Sequence, residues 1–246
     1  MTYVCSDIHG NLDRYNKAVS KLNEDDELII LGDVIDRGKY GIEILQDIMK
    51  RDNVHLIMGN HEFMMLDVLM ELMNSSSTDN FKNSESLKLW LNPNNGGTIT
   101  YSILTSLDVE DAYNIMQFLL DLPLFIRLNV GDKSFHLSHA SAHPKYRGTN
   151  TLKITDIDKE NLDSDLTKLL WESPFDRYNY SDKDNYDLKN ETYIVGHRPV
   201  QMFGTTEMIS IKGKIFDIDG GCALLDKYDN NLILLCLDTM EEEYIN

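Results

Sequence analysis

Three times within the first seventy or so residues, a short apolar run breaks off at a polar cluster and gives way to helical spacing. Residues 2–6 run into Asp7-Ile8-His9-Gly10-Asn11, and Leu12, Tyr15, Ala18, Val19 and Leu22 then recur three or four apart. Residues 27–31 end at Gly32-Asp33, continue through Asp36-Arg37-Gly38-Lys39, and lead to Ile42, Leu45, Ile48 and Met49 on one helical face. Residues 54–58 meet Gly59-Asn60-His61-Glu62, after which 63–73 read as a helix apolar on most of its circumference. Repeated strand–loop–helix units predict a parallel sheet with right-handed crossovers. Parallel neighbours share a carboxyl edge, where open α/β sheets hold ligands, so the three clusters are expected to converge.

The pattern changes further on. Residues 74–86 are rich in Ser and Asn and read as a loop; a short helix follows at 87–91, and Asn92-Pro93-Asn94-Asn95-Gly96-Gly97 is turn. Helical spacing resumes over 98–106 and 109–121, where Pro123 stops it. A hairpin is expected from 124–130 and 134–139 around Gly131-Asp132-Lys133. Residues 144–190 are polar, tyrosine-rich and weakly periodic, which predicts a surface insertion or cap. Strands are expected at 192–195, 207–211, 214–218, 222–226 and 232–237. An α/β first half before a mostly antiparallel second half predicts one α/β (α+β) domain over residues 1–246. Its architecture is a four-layer αββα sandwich, two mixed β-sheets packed face to face with helices outside.

Charge narrows the function. A net charge of −18 argues against electrostatic binding of nucleic acid or an anionic membrane. An acidic protein that handles phosphate needs local positive charge, and cations held by its own carboxylates would supply it. Cys5, Cys222 and Cys236 sit in apolar runs with no CxxC spacing, so they read as reduced residues of a cytoplasmic protein. The first apolar run starts at Thr2, which leaves no room for a signal peptide, and none reaches membrane-spanning length.

Taken singly, each cluster has an ordinary explanation. Asp7 and Asp33 can cap helices, Asp36-Arg37 can be a surface ion pair, and Asn60 is a good N-cap. Two further strand ends deliver the same residue types: His139 shares a face with Phe135 and Leu137, and His197 follows Tyr193-Ile194-Val195-Gly196. Among the other histidines, His55 and His136 read as structural and His143 as solvated. Five accidents at five strand ends is a poor account of one chain.

The order Asp-x-His, Gly-Asp-x-x-Asp-Arg-Gly, Gly-Asn-His-Glu, His-Ala, Gly-His resembles the metal-dependent phosphoprotein phosphatase family of the calcineurin-like metallophosphoesterases, in its bacterial and phage lambda-type branch. Asn95-Gly96-Gly97, Leu122-Pro123-Leu124 and the Val195-Gly196-His197-x-Pro199 stretch are also similar, so the resemblance spans nearly the whole chain. It implies two divalent ions, Mn²⁺ in the first place with Fe or Zn²⁺ as further options. Asp7, His9 and Asp33 would hold one, and Asp33, Asn60, His139 and His197 the other. The ions would activate a shared water for direct attack on phosphorus. His61 would act as general acid, kept protonated by Asp36, and Arg37 would bind phosphate. Glu62 reads as support for the helix start. The family's second phosphate-binding arginine, soon after a tryptophan, is missing: Trp171 is followed by Glu172-Ser173-Pro174-Phe175-Asp176 and an arginine only at Arg177. Arg198, beside His197, is the other candidate.

The expected activity is that of a Ser/Thr-type protein phosphatase acting on phosphoproteins or small phosphoesters. The alternative is a dinucleoside polyphosphate hydrolase of the diadenosine tetraphosphate type. A silent metal-binding interaction module is a third reading; it predicts loss of a ligand, of His61 or of Asp36, and none is lost. Substrate choice is expected to reside in residues 74–98 and 144–190.

Overall fold

The computed structural model describes residues 1–74, 84–176, 186–224 and 229–246. Its first half follows the periodicity. β1 (Thr2–Cys5), α1 (Leu12–Val19), β2 (Glu27–Ile30), α2 (Gly41–Ile48), β3 (Val54–Leu56) and α3 (Asn60–Asn74) alternate along the chain. The three strands pair in parallel, Tyr3 opposite Leu28 and Leu28 opposite Val54. The Asn11 side chain accepts the Arg14 N–H and starts α1, which then buries Tyr15 and Ala18. In β3 the alternation is plain: Val54 and Leu56 are buried, whereas His55 faces out and lies 2.7 Å from Glu27 across the edge pair.

Three helices follow: α4 (Glu85–Trp90), α5 (Thr98–Leu104) and α6 (Val109–Asp121). Ser84 caps the first and Asp108 the third, each accepting the N–H three residues on. Helix α6 stops before β4 (Pro123–Val130) because Pro123 has no N–H to donate and holds Leu122 extended. β4 turns back into β5 (Lys133–Ser138) with Val130 opposite Lys133, as the hairpin reading requires.

Residues 144–176 correct the expectation of weak periodicity. They hold β6 (Thr151–Lys153), which pairs with β4, and α7 (Leu162–Leu170), whose Leu166, Leu169 and Leu170 are buried. A strand of three residues followed by a single 3₁₀ turn is too short to show a period, which explains the misreading. β7 (Thr192–Val195), β8 (Ile209–Ile211) and β9 (Ile215–Asp217) complete this sheet, in the order β6-β4-β5-β7-β9-β8. β5, β7 and β9 are parallel, so the second half has its own carboxyl edge.

The expected strand at 222–226 is absent among its described residues: Gly221 takes φ +76° and Cys222–Ala223 form a turn. The chain then returns to the first sheet. β10 (Leu232–Cys236) and β11 (Glu242–Ile245) add to it antiparallel, giving β11-β10-β1-β2-β3. The two sheets therefore do not divide between the two halves of the chain. Both are mixed, and they pack face to face: Val4, Ile29, Leu31, Ile233 and Leu235 meet Phe135, Leu137, Ile194 and Ile218. The alternate residues Cys5, Leu28 and Ile30 pack instead with Tyr15, Ile42 and Leu45 on the helix side. Helix, sheet, sheet and helix make the four layers. Cys5, Cys222 and Cys236 are all buried and unpaired.

Candidate active site

The carboxyl edges of β1, β2, β3, β5 and β7 meet at one place, and the backbone there is bent. Eight described non-glycine residues have left-handed φ, and six of them are Asp7, His9, Asp33, Asp36, Arg37 and His197, between +46° and +74°. Such residues cost energy and persist only where surroundings enforce them. Here the loops brace each other. The N–H of His9 donates to Asp33 O (2.9 Å) and that of Gly10 to Val34 O (2.8 Å). The wholly buried Glu62 carboxylate accepts the N–H groups of Asp33 (2.7 Å), Val34 (2.9 Å), Ile35 (3.4 Å) and Gly59 (3.1 Å). A Cβ at Gly59 would overlap Asp33 Oδ1, and one at Gly196 would overlap Ser6 and Asp7. Only glycine allows those approaches.

Asp33 is the centre. Its Oδ2 lies 3.7 Å from Nε2 of both His9 and His61 and 3.5 Å from Nε2 of His139. Nε2 of His9 is also 3.8 Å from Asp7 Oδ1. His139 Nε2 lies 2.9 Å from Asn60 Oδ1 and 3.1 Å from His197 Nδ1. Among the described residues, two triplets have ligand atoms within 4.8 Å of one another, His9-Asp33-His61 and Asp33-His139-His197, and they share Asp33. All six candidate ligands thus come together: Asp7, His9, Asp33, Asn60, His139 and His197.

Their chemistry fits a cation. Nδ1–H of His9 donates to Ile35 O (2.9 Å) and that of His139 to Leu31 O (2.7 Å), which turns each Nε2 lone pair toward the centre. His139 Nε2 then faces Asn60 Oδ1, acceptor against acceptor, a contact that a positive charge reconciles. A second proton on the ring is disfavoured, because burial pushes His139 down. Buried His197 Nε2 has no hydrogen-bond partner. Burial also holds His9 and His197 well below the ordinary imidazole range, while burial, then Asp7 and Glu62, hold Asp33 well above that of a carboxylate. A divalent cation among them reverses that logic. Thiolates do not contribute, so the donor set is carboxylate, amide and imidazole.

His61 Nδ1 and Asp36 Oδ2 are 2.7 Å apart, as expected. Burial raises Asp36 to about 7. The expectation that Asp36 keeps His61 protonated runs against the protein's own field: burial, then Arg37 and His139, hold His61 well below its ordinary value. Arg37 and Arg198 both line the cavity of about 350 Å³ over the centre. Arg37 Nε is buried without a partner. Arg198 is pinned, its Nε donating to Asp176 Oδ1 (2.9 Å) and Nη2 to Asp176 Oδ2 (3.0 Å). Arg177 lies outside the described residues. His143 is not solvated as expected but faces Asp165 at 3.3 Å, with its side chain 14% exposed.

Sequence reasoning missed Asp176, Trp90 and Asp219. Trp90 Nε1–H donates to Asp36 Oδ2 at 2.8 Å. Asp219, buried, lines the cavity just past β9 and accepts the Gly221 N–H at 2.9 Å. Its signal was available: an apolar strand ending in Asp before glycine, the habit seen at Asp33. Among the described residues, no helix is long and apolar enough to cross a membrane.

The model of the calcineurin-like phosphoesterase family matches residues 2–234, and the chain belongs to that family. In sequence it is similar to the symmetrical bis(5'-nucleosyl)-tetraphosphatase of Baumannia cicadellinicola subsp. Homalodisca coagulata, 28% identical over 121 residues, 48% of this chain and 35% of the relative. It is also similar to the protein of that name from Actinobacillus pleuropneumoniae serotype 3, 25% identical over 155 residues, 61% and 48% of the two chains. The chain spans about a third to a half of the length of these curated relatives. The crystal structure of the cold-active protein-tyrosine phosphatase of a psychrophilic Shewanella shares its fold, with TM-score 0.60 and 18% identity over 100% of this chain and 80% of the other.

Proposed function

We propose that the protein hydrolyses dinucleoside polyphosphates of the diadenosine tetraphosphate type. The observation that supports this over a Ser/Thr-type protein phosphatase is the sequence similarity to symmetrical tetraphosphatases, since the likeness to a protein phosphatase lies in the fold. Phosphomonoester hydrolysis remains the second reading, supported by the unbroken Asp36-Arg37-Gly38 and Gly59-Asn60-His61-Glu62 stretches.

In this reading Asp7, His9 and Asp33 hold one divalent ion, and Asp33, Asn60, His139 and His197 hold the other. The mixed oxygen and imidazole donors favour manganese, with iron or zinc next. Such ions, when bound, lower the pKa of water and neutralise charge on phosphoryl oxygens. The remaining work falls to side chains. His61 Nε2 faces the centre, with its other nitrogen fixed by Asp36. An anionic phosphate bound beside Arg37 offsets the field that depresses the free imidazole, so that the charged ring carries a proton on Nε2 for the leaving oxygen. Arg37, whose buried Nε has no partner, offers its guanidinium to phosphoryl oxygens, and Arg198, held in place by Asp176, flanks them from β7's end. Three buried, unpaired cysteines suit a reducing compartment, and we place the protein in the cytoplasm.

Product analysis tests the assignment. With manganese, diadenosine tetraphosphate should be cleaved to two molecules of ADP with a higher kcat/KM than any phosphoserine or phosphotyrosine peptide. Phosphate release from the peptides without cleavage of the dinucleotide would overturn it.

A further inference from the structure

A second cavity of about 420 Å³ opens beside the metal centre and meets it at His9 and Arg37, which line both. Its character is different. The catalytic cavity is walled by Asp7, Asp33 and Asp219, whereas the second carries Tyr40, Ile99 and Leu12 with no ligand-type carboxylate except Asp13. Tyr40 and Ile99 are 37% and 41% exposed, so both offer apolar surface to a ligand in this cavity. Two cations line this cavity, Arg37 at the junction and Lys39 on the second cavity's own wall. Arg37 Nε has no hydrogen-bond partner, and Lys39 Nζ lies 4.8 Å from the centre of the Tyr40 ring.

A phosphate chain gains nothing from apolar walls, and a purely apolar ligand gains nothing from Arg37 and Lys39. A molecule with a flat aromatic end and an anionic end satisfies both. We infer that this cavity is a nucleoside subsite, which seats a nucleobase against Tyr40 and Ile99 and leads its phosphates past Lys39 and Arg37 to the metal centre. The inference rests on the proposed dinucleotide substrate but concerns binding, which can be measured apart from turnover.

The frame of the subsite is fixed. Tyr40 O accepts the Ile44 N–H at 2.9 Å and so begins α2, and its side chain makes no capping bond. Tyr40→Ala therefore removes the ring without removing a cap. The test is equilibrium dialysis of manganese-supplemented protein with two non-hydrolysable ligands, α,β-methylene-ADP and methylenediphosphonate, which differ by the nucleoside. Base stacking on an aromatic ring corresponds to roughly a tenfold preference for the nucleotide in the native protein. That preference should vanish in Tyr40→Ala and persist in Tyr40→Phe. Equal affinity for both ligands in the native protein, or an undiminished preference in Tyr40→Ala, overturns the subsite. A tyrosine-dependent preference in a protein that leaves diadenosine tetraphosphate intact would uphold the subsite and remove the proposed substrate instead.

Discussion

Asp36 Oδ2 sits 2.7 Å from His61 Nδ1 and at the same time receives the indole N–H of Trp90 at 2.8 Å. Two neighbours from distant parts of the chain fix one carboxylate oxygen, and the Asp36 N–H is itself anchored on Thr100 Oγ1 at 3.0 Å. The imidazole can therefore present only Nε2 to the centre. His61→Asn should lower kcat by about 10²–10⁴ while manganese stoichiometry stays the same, because a positioned proton donor contributes on that scale. Asp36→Asn should cost less, about 10–100-fold, since it misorients the ring without removing it. Steady-state kinetics with metal analysis checks both, and unchanged turnover in His61→Asn would remove His61 from the mechanism.

Glu62 does a different job. Its carboxylate collects N–H groups from both the Asp33 and Gly59 loops, so it joins the ends of β2 and β3. Glutamine in its place offers one acceptor oxygen and turns an amide N–H toward donors already there. Glu62→Gln should destabilise the fold by about 3 kcal/mol or more, the scale for orphaning partners of a buried charge. Urea unfolding reads the loss, and manganese affinity should weaken along with it because Asp33 is released. A variant of native stability would show that the loops hold their shape unaided.

The pinning of Arg198 has a kinetic consequence. Asp176 takes two of its N–H groups, and Trp171 O accepts another at 3.3 Å, so the fork is held before substrate arrives. Asp176→Ala should raise KM roughly three- to tenfold with a smaller change in kcat, as expected when a phosphate contact must be ordered on binding. Arg198→Lys should behave alike, since an ammonium cannot make the same paired contact. If neither variant moves KM, Arg198 does not touch substrate.

The centre is legible in the sequence because each of its loops follows an apolar strand and opens on residues of ligand type, behind a glycine at Asp33, Asn60 and His197. That habit marks the strand ends, His139 among them by the face it shares with Phe135 and Leu137, and the family resemblance supplies their expected roles as ligands. What sequence could not show is partnership. The apolar run Leu232–Cys236 is a strand on any reading, yet nothing in it says that it lies beside β1 rather than β9. Asp176 and Trp90 escape for the same reason: their roles depend on Arg198 and Asp36, which lie 22 and 54 residues away. Helix α7 was hidden by the short pieces around it.

His136 offers a prediction about acid stability. Its ring lies between those of Phe125 (4.8 Å) and Tyr193 (5.1 Å), and neither nitrogen has a hydrogen-bond partner. Burial, with Arg127 adding to it, depresses the imidazole to about 3. The unfolded chain titrates it near ~6.5. Between those values the unfolded state binds a proton that the folded state refuses, so stability is full above pH ~6.5 and falls as the pH drops. The slope from this residue alone is about 1.4 kcal/mol per pH unit, reaching about 4–5 kcal/mol near pH 3. Phenylalanine fills nearly the same space and carries no proton. His136→Phe should match or exceed native stability at pH 7.5, since it removes two unsatisfied polar atoms from the core, and should flatten the acid limb below pH ~6.5. Urea midpoints for the two proteins from pH 8 to about 4 decide the matter. Parallel curves would mean that His136 keeps a proton, or a partner, inside the fold.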